Sequence, residues 1–502
     1  MSDSAVYREY NPYYGHFIIG RNKIGQKRYT SHALIKEGIW LTFGDGLTVK
    51  HIINHERKKW YLLGDAFQSN PNGKGPLDEL RNATLLNIDA ISSSWAGRWL
   101  LIGYDRIFTD ASSLLKCFYK KTASHLSETR EYWFASNPVI LQEATQQQDI
   151  STTVEDKIAI ESGWVVPPRS GYKNTRVLLP TQSISICNGT IEARQVLSVS
   201  KQACSYKETL DELIQRYSCI LKNIACVNDN IWTALTGGID SRLVTAIAHY
   251  SGVKVKTFTF RGPYFYMPSA DKKLPTIIAK LAGFQHHWIN KKSISSGRKR
   301  IFDEFAHLYQ KNPGTSYYSF VNGYLDYFQE NTVTLSGTCG ELGRCYFYKL
   351  LPTSPGEEDL FRVVPMTQFN KTAIRELLHW WSDNPVANVD CRERFYWEAR
   401  LAGWASNAML QNSFIFQFYK IRQIPILNCM KAFELILDMD ENDRVGGKHY
   451  KDAIDLIMPQ VKNIPYNPPD PFHKRILMRL SKLINNPRQA RNMYYRFLKK
   501  IC

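Results

Sequence analysis

Between Ile231 and Phe260 the chain runs through an apolar strand, a double-glycine turn, an amphipathic helix and a second strand. That order limits the folds open to it. Ile231–Leu235 is apolar enough to lie inside a sheet, and Gly237 and Gly238 let the backbone turn sharply after it. Leu243, Val244, Ile247 and Ala248 recur at helical spacing and give the next segment one apolar face. Val255–Phe260 then reads as another strand. Strand, helix and strand over about 30 residues make a βαβ unit, which requires a parallel sheet. A helix carrying Leu274, Ile277, Ile278 and Leu281 and a strand at His287–Asn290 continue the alternation. Upstream, Leu210, Leu213, Ile214, Tyr217, Ile220 and Leu221 place a helix over Tyr206–Val227. From about residue 315 to 460 the pattern is mainly helical, interrupted by a strand at Thr332–Leu335. The expectation is a doubly wound α/β domain with added helices.

The turn itself reads Leu235-Thr236-Gly237-Gly238-Ile239-Asp240-Ser241-Arg242. At the end of a buried strand and the start of a helix, free backbone N–H groups favour an anion such as phosphate, and Ser241 can add a hydroxyl donor. Asp240 would repel a phosphate on its own. It makes sense beside Mg2+, which bridges carboxylate and phosphate oxygens. Neither GxxxxGK[ST] nor GxGxxG occurs, so the chain has no Walker A loop and no dinucleotide fingerprint.

This segment resembles the SGGxDS pyrophosphate loop of the ATP-pyrophosphatases, with Thr236 in place of serine. Leu335-Ser336-Gly337-Thr338-Cys339-Gly340-Glu341-Leu342 is similar to the LSGxGxDEL motif of asparagine synthetases, one residue shorter. The likeness extends through Arg422-Gln423-Ile424-Pro425-Ile426-Leu427-Asn428, comparable to RxPFLD, and through Gly447-Lys448-His449. In the front third, Gly97–Ile102 and Phe134–Ser136 look like the glutaminase-like domain of that family, and Leu178–Pro180 like the segment that ends it. The resemblance implies three parts. Residues 1–200 would be a degenerate glutaminase-like domain, a β-rich αββα sandwich of the Ntn-hydrolase kind. Residues 205–470 would be the ATP-pyrophosphatase domain, and 471–502 a basic C-terminal tail. It also implies ATP and Mg2+. Leu235, Thr236, Gly237, Gly238, Asp240, Ser241, Phe260, Ser336 and Gly337 would hold the nucleotide, and Asp240 and Glu341 the metal. Asp240, Glu341 and Arg242 would serve catalysis, with Arg242 neutralising charge. The implied reaction is adenylation of a carboxylate followed by amide formation.

Three departures shape that expectation. A glutaminase of this family needs a cysteine after the initiator methionine, where this chain has Ser2, and its first cysteine is Cys117. The front domain is therefore expected to supply no ammonia, as in β-lactam synthetases and lasso-peptide cyclases, where a substrate amine is used. The product would be a peptide macrolactam or an amide on a metabolite or surface sugar. Only one acid, Glu341, stands where the family motif has two. The family's late lysine falls at about Asn467. These losses leave open a nucleotide-binding pseudoenzyme, a synthetase fed with ammonia by another protein, and an RNA-modifying enzyme.

The first 200 residues read as short aromatic and β-branched strands at His16–Gly20, Ile39–Phe43, Lys59–Leu63, Gly97–Tyr104 and Tyr132–Ser136. A more helix-compatible interval follows at 145–165. Arg176–Leu179 and Ile184–Cys187 come next, with Asn188-Gly189 as a turn. The ten cysteines are scattered without CxxC or zinc spacing. His286 and His287 are adjacent on a strand and point to opposite faces, which argues against a metal pair. No apolar run of about 18 residues occurs, and the N-terminus lacks the apolar stretch of a secretory signal, so a cytoplasmic protein is expected. The net charge is +18, and the tail beyond Asp470 has no acidic residue but nine lysines and arginines. It reads as a solvated terminal helix or as a peripheral contact with an anionic membrane or acidic partner. Nucleic acid is not the expected partner, because no RNA module is evident.

Overall fold

The computed structural model describes residues 13–24, 30–123, 130–146, 153, 164–197, 205–261, 267–307, 314–410, 416 and 419–472. Ser2, most of the 145–165 interval and the basic tail from 473 onward lie outside the described residues.

The architecture is mixed α/β, with two antiparallel sheets and one parallel sheet. One six-stranded antiparallel sheet is ordered Thr175–Val177, Phe118–Ala123, Arg130–Ala135, Phe17–Gly20, Ile39–Gly44 and Thr30–Lys36. The other is ordered Ile191–Ala193, Gln182–Ser185, Arg106–Thr109, Trp95–Gly103, Lys59–Gln68 and Val49–Ile53. Phe17, Ile19 and Leu41 of the first meet Tyr61, Leu63, Leu100 and Ile102 of the second in one core. Every residue of Trp95–Gly103 is buried. The strand alternates, so Leu100 and Ile102 face the opposite sheet while Trp99 and Leu101 lie outward against Leu80 and Ile88. On the far side, Val139 and Ile140 of the helix Pro138–Ala144 cover Ile18, Trp133 and Ala135. The layers therefore run helix, sheet, sheet, helix, with helices of only one or two turns.

The expected strands all form, with ends shifted by a few residues. Several strands escaped the sequence reading. Val49–Ile53 is a largely exposed edge strand that carries Lys50 and His51. Arg422–Pro425 begins with Arg422 and Gln423 at the edge of the parallel sheet. Neither has the apolar alternation that marks a strand. His286 and His287 do face opposite ways: His286 bonds Thr257 Oγ1 at 2.9 Å, and the ring of His287 lies 4.8 Å from that of Trp232.

The parallel sheet has the order His286–Asn290, Lys256–Arg261, Ile231–Ala234, Val333–Ser336 and Arg422–Pro425, with every pairing parallel. In chain order that is 3-2-1-4-5, a doubly wound sheet. On one face Ile231, Val333 and Leu335 pack under the helices Tyr206–Ala225, Ile239–Ser251 and Lys448–Ile457. On the other, Trp232 and Phe258 pack with Phe302, Val321, Leu325 and Phe328. The helix Tyr206–Ala225 starts on a capping box between Ser205 and Glu208. The helix Ile239–Ser251 ends on Gly252 at φ 70°, a left-handed cap. Strand order reverses between Ile231–Ala234 and Val333–Ser336. Their carboxyl ends therefore splay apart into the crevice where open α/β sheets bind ligands. Among the described residues, no helix is long and apolar enough to cross a membrane.

A buried amide ties the parallel sheet to the front sheets. Asn428 Nδ2 donates to Gly97 O at 2.7 Å and to Asp110 Oδ1 at 2.8 Å, and Gly97 N–H donates to Asn428 O at 3.2 Å. Asp110 also accepts from the backbone N–H groups of Ser112, Leu114 and Leu115. Asn428→Ala leaves a buried carbonyl and a buried carboxylate each short of a donor. It is expected to cost about 1–3 kcal/mol and to lower the thermal midpoint followed by tryptophan fluorescence. An unchanged midpoint would show that the junction carries no stability.

Candidate functional site

The loop after Ile231–Ala234 is held closed by its own hydroxyls. Ser241 Oγ accepts from Thr236 N–H at 3.0 Å and lies 2.9 Å from Thr236 Oγ1, which in turn accepts from Gly238 N–H at 3.1 Å. Leu235 is buried beneath, in the sheet core. A side chain at Gly237 would put its Cβ 2.8 Å from Ala270 Cβ, so the loop can pass that helix only as glycine. Gly238 caps the helix Ile239–Ser251 from extended backbone, and the first N–H groups of that helix point out of the crevice end. One donor is already taken. Gly237 N–H donates to Asp271 Oδ1 at 2.6 Å, so a carboxylate oxygen sits on the loop. Asp271 was not foreseen from sequence; it lies in the first turn of the next crossover helix.

The second loop follows Val333–Ser336 and packs onto Asp240. A Cβ on Gly337 would lie 2.7 Å from Asp240 Cβ, and one on Gly340 would lie 2.7 Å from Asp240 Oδ1. Two glycines thus let backbone close over a carboxylate. Asp240 Oδ1 is buried and accepts no hydrogen bond, although Arg344 Nη1 lies 3.2 Å away. The two form an ion pair. Arg344 Nη2 also lies 3.6 Å from Glu341 Oε1, and Tyr396 Oη donates to Glu341 Oε2. Asp240 and Glu341 are therefore brought together, as expected, with an unforeseen guanidinium between them. Burial raises the Asp240 carboxyl to about 6; Arg344 opposes that rise and Glu341 adds to it.

Arg242 does not join this group, which corrects the expectation from its place in the motif. Its guanidinium is buried on the far side of the loop. It donates to Ile464 O at 2.7 Å, Pro465 O at 3.0 Å and Gly237 O at 3.4 Å, and it stacks 3.9 Å from the Tyr466 ring centroid. With both Nη groups directed at carbonyls it braces the loop, while its Nε is buried without a partner. The segment it holds brings Asn467 over the turn, with Asn467 N–H donating to Gly237 O at 3.0 Å. Asn467, near which the resemblance would put a lysine, thus lies at the loop with an amide side chain.

Two cavities meet at Ser336 and Gln423. One, about 300 Å³, is walled by Asp240, Gly337, Cys339 and Glu341 on one side and by Leu401, Trp404 and Met409 on the other. The second, about 370 Å³, is walled by Phe258, Phe260, Tyr324, Phe328, Leu335 and Phe416. Phe260 and Ser336 border the aromatic cavity and Gly337 the polar one, whereas Leu235, expected beside the nucleotide, is fully buried in the sheet core and walls neither. A third cavity, about 450 Å³, is lined by Asp390, Glu393, Asp440 and Asp443 but by no residue of either glycine loop. Its lining arginine, Arg444, is already paired with Glu393 at 3.1 Å, so its size does not make it the anion site. Among the described residues no cluster of three or more His, Cys, Asp or Glu suits a metal. A cation here would be held as Mg2+ commonly is, by one or two carboxylates and by ligand oxygens. The unbonded, buried Asp240 Oδ1 fits that use.

No family model matches the chain, and no curated protein does. Among solved structures it is similar to the NH3-dependent NAD synthetase from Campylobacter jejuni subsp. jejuni NCTC 11168 in complex with the nitrate ion. The identity is 15% and the TM-score 0.20, over 43% of this chain and 96% of that one. It is also similar to the NMN synthetase from Francisella tularensis, at 14% identity and TM-score 0.19, over 39% and 94%. A third is the glutamine-dependent NAD+ synthetase from Acinetobacter baumannii in complex with ADP, at 11% identity and TM-score 0.20, over 77% and 84%. Similarity at these scores carries no assignment of activity.

Asp240 gives a pH signature. With its carboxyl at about 6 against 3.8 when unperturbed, the folded chain keeps a proton that the unfolded chain loses between those values. Stability from this group therefore grows as pH falls through 6 and is lost above it. Asp240→Asn is expected to stabilise the chain at pH 7.5 by about 2–3 kcal/mol, a gain that shrinks as the pH is lowered to 4.5. Equal gains at both pH values would contradict the raised carboxyl.

Proposed function

We propose that the chain is an ATP-dependent, AMP-forming carbon–nitrogen ligase of the asparagine synthetase-like PP-loop kind. The observation that carries this reading is the helix start at the strand-order reversal, with Asp240 Oδ1 enclosed between two glycine loops. In this reading adenine enters the aromatic cavity beside Phe260 and Ser336, and the phosphates lie over 236–241, displacing Asp271 from Gly237 N–H. When bound, Mg2+ offsets the charge on the phosphates from Asp240, with Glu341 as its second carboxylate. A substrate carboxylate attacks the α-phosphorus, pyrophosphate leaves, and an acyl-adenylate remains. An amine then displaces AMP, and the half-exposed Glu341, held by Tyr396, takes the proton released as the amide forms.

The front sheets are proposed to be a glutaminase-like domain, spanning 1–200, that no longer hydrolyses glutamine. Cys117 is fully buried between the two sheets and burial pushes its thiol up, so it offers no nucleophile. The amine is then a group of the substrate. The 205–470 segment is the proposed ligase domain, and the basic tail is proposed to contact an anionic surface or acidic partner. Two contacts favour a second reading, nucleotide binding without turnover: Arg344 already lies against both acids, and Asp271 occupies a loop donor.

Turnover separates the two. With labelled Mg·ATP and a pool of amino-bearing carboxylic acids, the ligase reading expects AMP and pyrophosphate in equal amounts and no ADP. Asp240→Ala should slow their release by about 100-fold or more, and added glutamine should yield no glutamate. ADP and phosphate as products, or turnover indifferent to Asp240, would refute it.

A further inference from the structure

The segment Tyr396–Ala405 is a π-helix, a rare, wide form that is frequent at functional sites. Its bonds run from i to i+5, so residues four apart are neighbours along one face. Tyr396, Arg400 and Trp404 are such a series. Tyr396 bonds Glu341, a wall of the polar cavity, and Trp404 is itself a wall of that cavity. Arg400 therefore lies between two groups that border the proposed reaction centre.

Arg400 is half-buried, and its surroundings differ from those of the arginines that form ion pairs. Arg194 pairs with Asp89, Arg444 with Glu393 and Arg394 with Glu398. Arg400 instead lies between two indoles, 4.0 Å from the Trp404 ring centroid and 4.7 Å from that of Trp164. Among the described residues it makes no hydrogen bond and no ion pair, and its Nε is buried without an acceptor. Stacking fixes the plane of a guanidinium and leaves its donor edge free, the geometry that grips a carboxylate with two parallel bonds. Arg242 Nε and Arg394 Nη2 are buried without acceptors too, so what sets Arg400 apart is a whole guanidinium with neither hydrogen bond nor ion pair among the described residues. Leu401, Trp404, Ala405 and Met409 give the adjoining wall an apolar surface.

We propose that Arg400 is the docking cation for a carboxylic acid with an apolar body, which is the acyl substrate of the ligase reading on which this inference rests. The acid lies along the Leu401–Met409 wall with its carboxylate on the Arg400 edge. From there it is delivered to the cavity that Asp240 and Glu341 line.

The test uses 4-(trifluoromethyl)phenylacetate as a probe, followed by fluorine NMR on the full chain without nucleotide, with 4-(trifluoromethyl)phenylacetamide as its neutral twin. The acid is expected to bind saturably and the amide at least tenfold more weakly. Arg400→Met should weaken the acid about tenfold and leave the amide unchanged, while Arg400→Lys recovers part of the loss. The acid-against-amide comparison on the wild type stands even if a variant fails to fold. Equal binding of acid and amide, or acid binding indifferent to Arg400→Met, overturns the proposal. So does an Arg400→Met loss confined to Mg·ATP affinity, because the cation would then belong to the nucleotide. Failure of the ligase reading shows differently, as Mg·ATP that binds neither the wild type nor Arg400→Met.

Discussion

Everything proposed for this chain depends on the enclosure of one carboxylate. Asp240 begins a helix at the point where strand order reverses, and backbone at Gly337 and Gly340 closes over it with no room for side chains. Water is largely excluded from Oδ1, no hydrogen bond replaces it, and the carboxyl rises to about 6. A chain evolving for stability alone would lose such a group. Enclosure of this kind is what a cation bridged to phosphate oxygens would relieve, and Arg344 Nη1, 3.2 Å away, supplies a positive charge beside it.

That enclosure is built by segments far apart in the chain. Asp271 and the Arg242-braced turn at Asn467 hold the first loop, while the second is seated by Cys339, whose Sγ lies 3.6 Å from Ser112 Oγ of the front sheets and 3.7 Å from Asn428 Oδ1. The front sheets therefore act as a buttress. Through Asp110, Gly97 and Asn428 they set the height of the loop that covers Asp240, a structural role that needs no chemistry of their own.

The sequence displayed what is local and hid what is assembled. Gly237, Gly238 and Asp240 were legible because a strand, a turn and a helix in succession leave few alternatives, and the parallel sheet followed from the same run. Glu341 was legible through its likeness to a known motif. Arg344 was not, because nothing in Glu341-Leu342-Gly343-Arg344 says that the guanidinium folds back between two acids. Arg242 was misplaced for a related reason. Its position in the motif suggests a ligand, but the carbonyls of Ile464 and Pro465 that hold it arrive 222 and 223 residues later. Arg400 gave no signal either, since a stacked guanidinium needs Trp164 brought from the front half of the chain.

The central claim, that Asp240 and the two glycine loops form a Mg-dependent nucleotide site, is tested most directly by calorimetric titration with the non-cleavable α,β-methylene analogue of ATP. No acceptor or amine is needed. The account predicts saturable, one-to-one binding that requires Mg2+, is lost in Asp240→Ala and weakens as the pH falls below 6. Absence of binding, or binding of equal strength without Mg2+ or without the Asp240 carboxylate, would contradict it.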